Sequence, residues 1–263
     1  ADLWMFNIST NMWTWIKGPS TANPTGVYGT MLVPASANLP PPRSYSGAAW
    51  TDNSNNLYLF GGTPFGVYGS QAFSDLWRYS ISTNMWTWIS GTNLTYYAGN
   101  YVPQGVFSSA YVPPSRVGIN SWKDNNGNFW MQGGFNNVTD SYNDLWEYDS
   151  SLNQWAWMSG LNGIDGSAVY GIPCVPDTAN TPGETFASTC WTDVYGNLWM
   201  LGWGNYGYTA PEIWHYNVTS KEWAFVGGNS NMNDPGNYGT MNVPAASNFP
   251  AARQSACSFR DLN

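Results

Sequence analysis

The chain is 263 residues long, 17% aromatic and only 9% charged, with a net charge of −8. Its eight Lys and Arg form no cluster for a phosphate backbone or an anionic bilayer surface, which argues against nucleic acid and membrane surfaces as partners. No uncharged apolar run reaches 18 residues, so no membrane insertion is expected, and the three cysteines include no CxxC pair for zinc or dithiol chemistry.

In chain order, residues 1–16 hold two strands, Leu3–Phe6 and Trp13–Trp15, around a Ser-Thr-Asn turn. A Pro-rich insert, 17–42, follows. Residues 43–90 then form a unit. Its first strand opens at Arg43 and reaches Trp50, and the turn Asp52–Asn56 leads to an apolar strand, Leu57–Phe60. After Gly61-Gly62 and a loop, Asp75-Leu76-Trp77 opens a third strand, and Trp86 lies in a fourth. The same order recurs in 116–158 (Phe129–Met131, Gly133-Gly134, Asp144-Leu145-Trp146) and in 184–226 (Leu198–Leu201, Gly202-Trp203-Gly204, Glu212-Ile213-Trp214). Inserts 91–115, 159–183 and 227–252 separate the units, and 253–263 reads as a further first strand.

The repeat is regular. Trp13, Trp86, Trp155 and Trp223 each follow an earlier Trp by nine residues, and Trp50, Trp122 and Trp191 each precede a Gly by 11. Constant gaps mark fixed elements, and two hairpins per unit make four strands. A four-stranded unit is too thin to bury its own faces, so the repeated tryptophans are expected to be core, buried by stacking of units.

The sequence of small residues, Trp, turn, apolar strand, Gly-Gly, loop, Asp-Leu-Trp-x-Tyr, turn and Trp resembles the kelch motif of galactose oxidase-type propellers. Tyr79, Tyr148 and Tyr216 stand at the family tyrosine, with Phe6 in the first copy. The resemblance covers the chain and implies an all-β fold: a single kelch-type β-propeller segment, 1–263, of four-stranded antiparallel blades. It holds about four repeat units with blades cut at both ends. On that alignment 1–16 supply strands three and four of a blade, and 253–263 the first strand of another. Either the chain is a segment of a longer protein, or another subunit completes the open blades head-to-tail.

Strand alternation places all the inserts and longer connections on one face of such a ring. Tyr28, Tyr68, Tyr96, Tyr97 and Tyr206 in these loops are candidate ligand-face aromatics that would stack on sugars. The inserts share a Gly-x-Tyr-Gly-Thr-Met core (26–31 and 236–241) that fits a stiffening role. Arg43, Arg116 and Arg253, with Glu184 in the third copy, are expected to tie inserts to blades through carbonyls, an anion site being the other reading.

Asn7, Asn93, Asn137 and Asn217 lie in Asn-x-Ser/Thr triplets within turns or loops, and in a eukaryotic source they would accept N-linked glycans. A Cys174–Cys190 disulfide is one pairing the sequence allows. The lone His215 cannot supply the two His ligands of galactose oxidase-type copper, so that activity is not carried over. No catalytic residue, cofactor or metal ligand is assigned, and the chain is read as a non-enzyme. The expectation is an extracellular or cell-surface scaffold for protein interaction or assembly, with copies of itself among its partners. A carbohydrate-binding module of a larger extracellular protein is the alternative.

Overall fold

The computed structural model describes residues 2–45, 47–64, 71–137, 140–205 and 208–258, leaving aside the side chains of Asn137, Trp203 and Asn205. Among the described residues there are sixteen β-strands and no helix. Strands β1 (Leu3–Asn7) and β2 (Met12–Lys17) form an antiparallel hairpin. Three four-stranded antiparallel sheets follow. The first is β3 (Ala48–Thr51), β4 (Leu57–Phe60), β5 (Leu76–Ser80) and β6 (Met85–Ser90). The second is β7 (Asn120–Lys123), β8 (Phe129–Gln132), β11 (Leu145–Asp149) and β12 (Gln154–Ser159), with a ribbon of β9 (Phe135–Asn137) and β10 (Asp140–Ser141) in its central connection. The third is β13 (Thr189–Thr192), β14 (Leu198–Asn205), β15 (Tyr208–Asn217) and β16 (Glu222–Gly227). In each sheet the strands pair in chain order, so the two hairpins of a unit lie side by side.

Local chemistry makes these hairpins. Asp52 Oδ1 accepts the backbone N–H groups of Ser54 and Asn56 at 2.8 Å, which closes the turn between the first two strands. Asp124 and Asp193 repeat it. In the turn between the last two strands, Asn11, Asn84 and Asn153 take φ of 53–55°, a left-handed conformation that Asn tolerates, and Lys221 takes it in the last copy.

The Asp-Leu-Trp element carries a β-bulge in all four copies, at Leu3/Trp4, Leu76/Trp77, Leu145/Trp146 and Ile213/Trp214. A bulge re-aims the side chain that follows it. Here it turns each indole back, so that Nε1 donates to the acid two residues earlier: Trp4 to Asp2 (2.6 Å), Trp77 to Asp75 (2.7 Å), Trp146 to Asp144 (2.7 Å) and Trp214 to Glu212 (2.9 Å). The strand-start acids thus serve the tryptophans.

The sheets stack face to face. Trp50, Tyr58, Phe60, Leu76 and Ile89 of the first sheet share one cluster with Phe129, Met131, Trp146, Tyr148 and Trp155 of the second. Trp122, Trp130, Leu145, Ala156 and Met158 of the second share another with Leu198, Met200, Trp214, Tyr216 and Trp223 of the third. Trp146, Trp155, Trp214 and Trp223, on third and fourth strands, therefore face the preceding sheet, while Trp50 and Trp122, on first strands, face the following one. The first strands β3, β7 and β13 lie next to one another. Trp50 Nε1 donates to the carbonyl of Trp122, and Trp122 Nε1 to that of Trp199, both at 2.8 Å. At the glycine pair, Gly62 N–H donates to Arg116 O at 3.0 Å, and a Cβ on Gly61 (φ 71°) would meet that same oxygen at 2.7 Å. Only glycine lets neighbouring units approach this closely.

Glu147 on β11 is buried, and burial pushes its carboxyl up to about 7; Asn128 Nδ2, donating to Oε1 at 2.6 Å, pulls it back down, while nearby Asp124 pushes it up again. A carboxyl raised by folding keeps its proton in the folded chain where the unfolded chain has lost it. Its cost is absent below the ordinary value of 4.5, grows as pH rises from there, and is complete above about 7. Glu147→Gln is accordingly expected to raise stability in urea unfolding at about pH 8, by up to about 3 kcal/mol, and to change it little at about pH 4. An equal gain at both would show that ionisation is not its source.

Candidate interaction surface

Each of the first three inserts leaves the last strand of one unit and lies along the last strand of the next. In insert 17–42, Leu32 N–H donates to Trp88 O (2.8 Å), Ala35 N–H to Trp86 O (3.4 Å) and Asn38 Nδ2 to Trp86 O (3.0 Å), all on the outer edge of β6. In insert 91–115, Gly105 and Ser108 donate in the same way to Trp157 and Trp155 on β12. In insert 159–183, Cys174 and Asp177 donate to Phe225 and Trp223 on β16, and Asn180 Nδ2 to Trp223 O. An open strand edge is a template for pairing, and these loops close three such edges.

A polar anchor accompanies each of these loops. The Tyr28 hydroxyl donates to Asp75 Oδ2 at 2.7 Å, Tyr101 to Asp144 Oδ2 at 2.6 Å and Tyr170 to Glu212 Oε1 at 2.5 Å. Two arginines clasp the same acids: Arg43 spans both oxygens of Asp75 at 2.8 and 3.0 Å, and Arg116 those of Asp144 at 2.5 and 2.7 Å. They also donate to carbonyls of Pro41 and Gly61, and of Pro114 and Gly133, as expected from their sequence positions. In the third copy Glu184 and Glu212 stand at the Arg and Asp positions. Burial pushes the Glu212 carboxyl up, while Tyr170 and Trp214 donate to it and pull it down.

The β1–β2 hairpin differs. Leu3 and Ile16 on one face pack against Trp77, Tyr79 and Trp86 of the first sheet. The other face, with Trp4, Phe6, Trp13 and Trp15, is bare: Trp4 is 49% exposed and Trp13 66%, where their counterparts Trp146 and Trp155 are 0% and 1%. The four rings pair among themselves, Trp4 with Trp15 at 6.3 Å and Phe6 with Trp13 at 5.0 Å. The expectation that the repeated tryptophans are core does not hold for this hairpin, because no described sheet lies against this face.

The other sequence candidates are scattered. Tyr28 is half-buried, its ring 5.0 Å from both Trp77 and Trp88, so it is a strut rather than an open platform. Tyr97 is half-buried and its N–H donates to Ser115 Oγ. Tyr96 is exposed, with its hydroxyl on Asp140 Oδ2 at 3.1 Å. Tyr68 and Tyr206 lie outside the described residues. Asn7 and Asn93 are exposed, and Asn217 is half-buried in the turn equivalent to that of Asn7. The side chain of Asn137 is not among those described. The Cys174–Cys190 bridge is not formed. Cys174 is exposed with its thiol on Val226 O, while Cys190 sits on β13 with its thiol on Ser188 O, and both are free.

The solved structure of YjhT is similar to this chain. The two share 18% identity with a TM-score of 0.48, over 76% of this chain and 57% of that one. The chain thus spans little more than half the length of YjhT. No protein-family model and no curated protein matches the chain.

A cavity of about 340 Å³ opens beside the hairpin, lined by Leu3, Trp4, Met5, Ile16, Leu57 and Tyr79 among others. Among the described residues no group of three or more His, Cys, Asp or Glu side chains is placed to hold a metal ion, and no helix is long and apolar enough to cross a membrane.

Proposed function

We propose that the chain is a kelch-type β-propeller segment acting as a non-catalytic extracellular or cell-surface scaffold, which builds protein assemblies through its β1–β2 hairpin. The bare aromatic face of that hairpin carries the reading. An apolar patch of this kind on a rigid framework is the mark of a surface meant for a partner. Stacked four-stranded sheets with adjoining first strands support the propeller architecture, and the Gly-Gly and Asp-Leu-Trp elements support the kelch type. N-linked glycans at Asn7, Asn93, Asn137 and Asn217 would keep a chain with so few charges soluble outside the cell. The sugar-stacking alternative has less to rest on, since Tyr28 is committed to Asp75 and two tryptophans.

Electron microscopy and sedimentation of the purified chain test this. The expected result is assembly of the wild-type chain and a monodisperse monomer for Trp13→Glu, which leaves the buried core untouched. A wild-type chain that stays monomeric at every concentration would refute the reading.

A further inference from the structure

The last insert, 227–252, has the same internal fold as the three that dock. Asn237 and Phe249 exchange backbone hydrogen bonds at 2.9 Å, as Val27 and Leu39 do at 2.8 and 2.9 Å. Asn248 Nδ2 donates to Val243 O at 3.1 Å, as Asn38 does to Val33 O and Asn180 to Val175 O, both at 3.0 Å. Asn242 takes φ of 64°, matching Leu32 (64°), Gly105 (77°) and Cys174 (63°), the residues whose N–H groups reach the neighbouring edge. Yet no docking bond from Asn242, Ala245 or the Asn248 amide to a strand edge is present among the described residues. Tyr238, the counterpart of Tyr28, is 70% exposed, and Met241 is 87% exposed. Arg253, the counterpart of Arg43 and Arg116, donates only to Ala251 O among the described contacts.

The acceptors that correspond to those the docking loops use are present on the hairpin. The carbonyls of Trp15 and Trp13 correspond to those of Trp88 and Trp86. Asp2 corresponds to Asp75 and Asp144; it accepts from Trp4 Nε1 but has no arginine among the described ion pairs. Loop and edge are thus the two halves of one interface that the chain builds three times internally. They are oppositely charged at its polar anchor. Among the described residues no contact joins loop and hairpin, and the hairpin face is bare.

Resting on the assembly reading above, we infer that the loop 237–253 of one copy docks on the β1–β2 hairpin of a second copy. Asn242 and Ala245 N–H donate to Trp15 O and Trp13 O, and Tyr238 and Arg253 hold Asp2. The contact is heterologous, since it joins two different surfaces, a loop and a hairpin. It therefore propagates into a filament or closes into a ring of copies.

A charge exchange tests it on the full chain. Asp2 and Arg253 are both exposed, so their variants are expected to fold, which near-ultraviolet circular dichroism checks. Asp2→Arg and Arg253→Asp should each weaken self-association by about a hundredfold or more in sedimentation velocity. Mixing the two variants should restore assembly, because each contact then pairs opposite charges, either native or exchanged. A mixture that stays monomeric overturns the inference. If Trp13→Glu abolishes assembly while Asp2→Arg, Arg253→Asp and Asn248→Ala leave it unchanged, the hairpin stands as the interaction surface but the loop is the wrong occupant. A wild-type monomer at every concentration overturns both.

Discussion

Arg116→Ala is expected to cost about 3–5 kcal/mol in urea unfolding, the range for removing one partner of a buried ion pair. Neither Arg116 nor Asp144 has any exposed side-chain surface. Loss of the guanidinium leaves Asp144 with only the Trp146 indole and the Tyr101 hydroxyl as donors, and leaves the carbonyls of Gly133 and Pro114 without theirs. The guanidinium also lies 4.3 Å from the centre of the Tyr142 ring, and that contact goes too. Arg116→Lys keeps the charge but not the two-pronged clasp, so it should recover only part of the loss. An apolar pair, Arg116→Met with Asp144→Leu, is not expected to be neutral. It strands the Trp146 and Tyr101 donors, which a simple ion pair would not do. Arg43→Ala should cost less, since the Arg43 side chain is 8% exposed and water can reach the vacated site. A loss at Arg116 no larger than about 0.5 kcal/mol, the scale of surface changes, would refute this account.

The strands were legible because their signals are local. An Asp two to four residues before its turn partners, or an aromatic pair nine apart, is read within one hairpin. The ion pairs were not legible in that way, since Arg43 and Asp75 lie 32 residues apart and Arg116 and Asp144 lie 28 apart. A signal existed nonetheless: in the third copy both positions change together, to Glu184 and Glu212. Joint change within one chain is what a direct contact produces. Tyr28 packs as a strut for a related reason. It recurs as Tyr101, Tyr170 and Tyr238 at matching places in the inserts, and a tyrosine that recurs is a packing element before it is a ligand platform. Trp4 and Trp13 depart in the opposite direction, exposed where repetition predicts burial. Repetition shows what a position is built to pack against, but not that the neighbour is there.

That distinction predicts opposite outcomes for one substitution at two equivalent positions. Trp155→Ala should destabilise the chain by about 3–5 kcal/mol, the range for deleting a buried aromatic. Trp155 is 1% exposed, packs 4.8 Å from Tyr148 and 5.5 Å from Phe60 across two sheets, and donates Nε1 to Ser90 Oγ at 3.2 Å. Its removal opens a cavity that neighbouring strands, pinned by their ladders, cannot close. Trp13→Ala should leave monomer stability within about 0.5 kcal/mol, because the ring it removes is mostly in water. Its effect should appear instead in association, where Trp155→Ala acts only through unfolding. Both are measured by urea unfolding in the Asp2→Arg background, which holds the chain monomeric, and by sedimentation without that change. If Trp13→Ala destabilises the monomer as much as Trp155→Ala does, the hairpin face is already covered by its own chain. Assembly through it would then be ruled out. If the two separate as expected, the same residue type at the same repeat position is core in one copy and contact surface in another, and only the presence of a neighbouring sheet decides which.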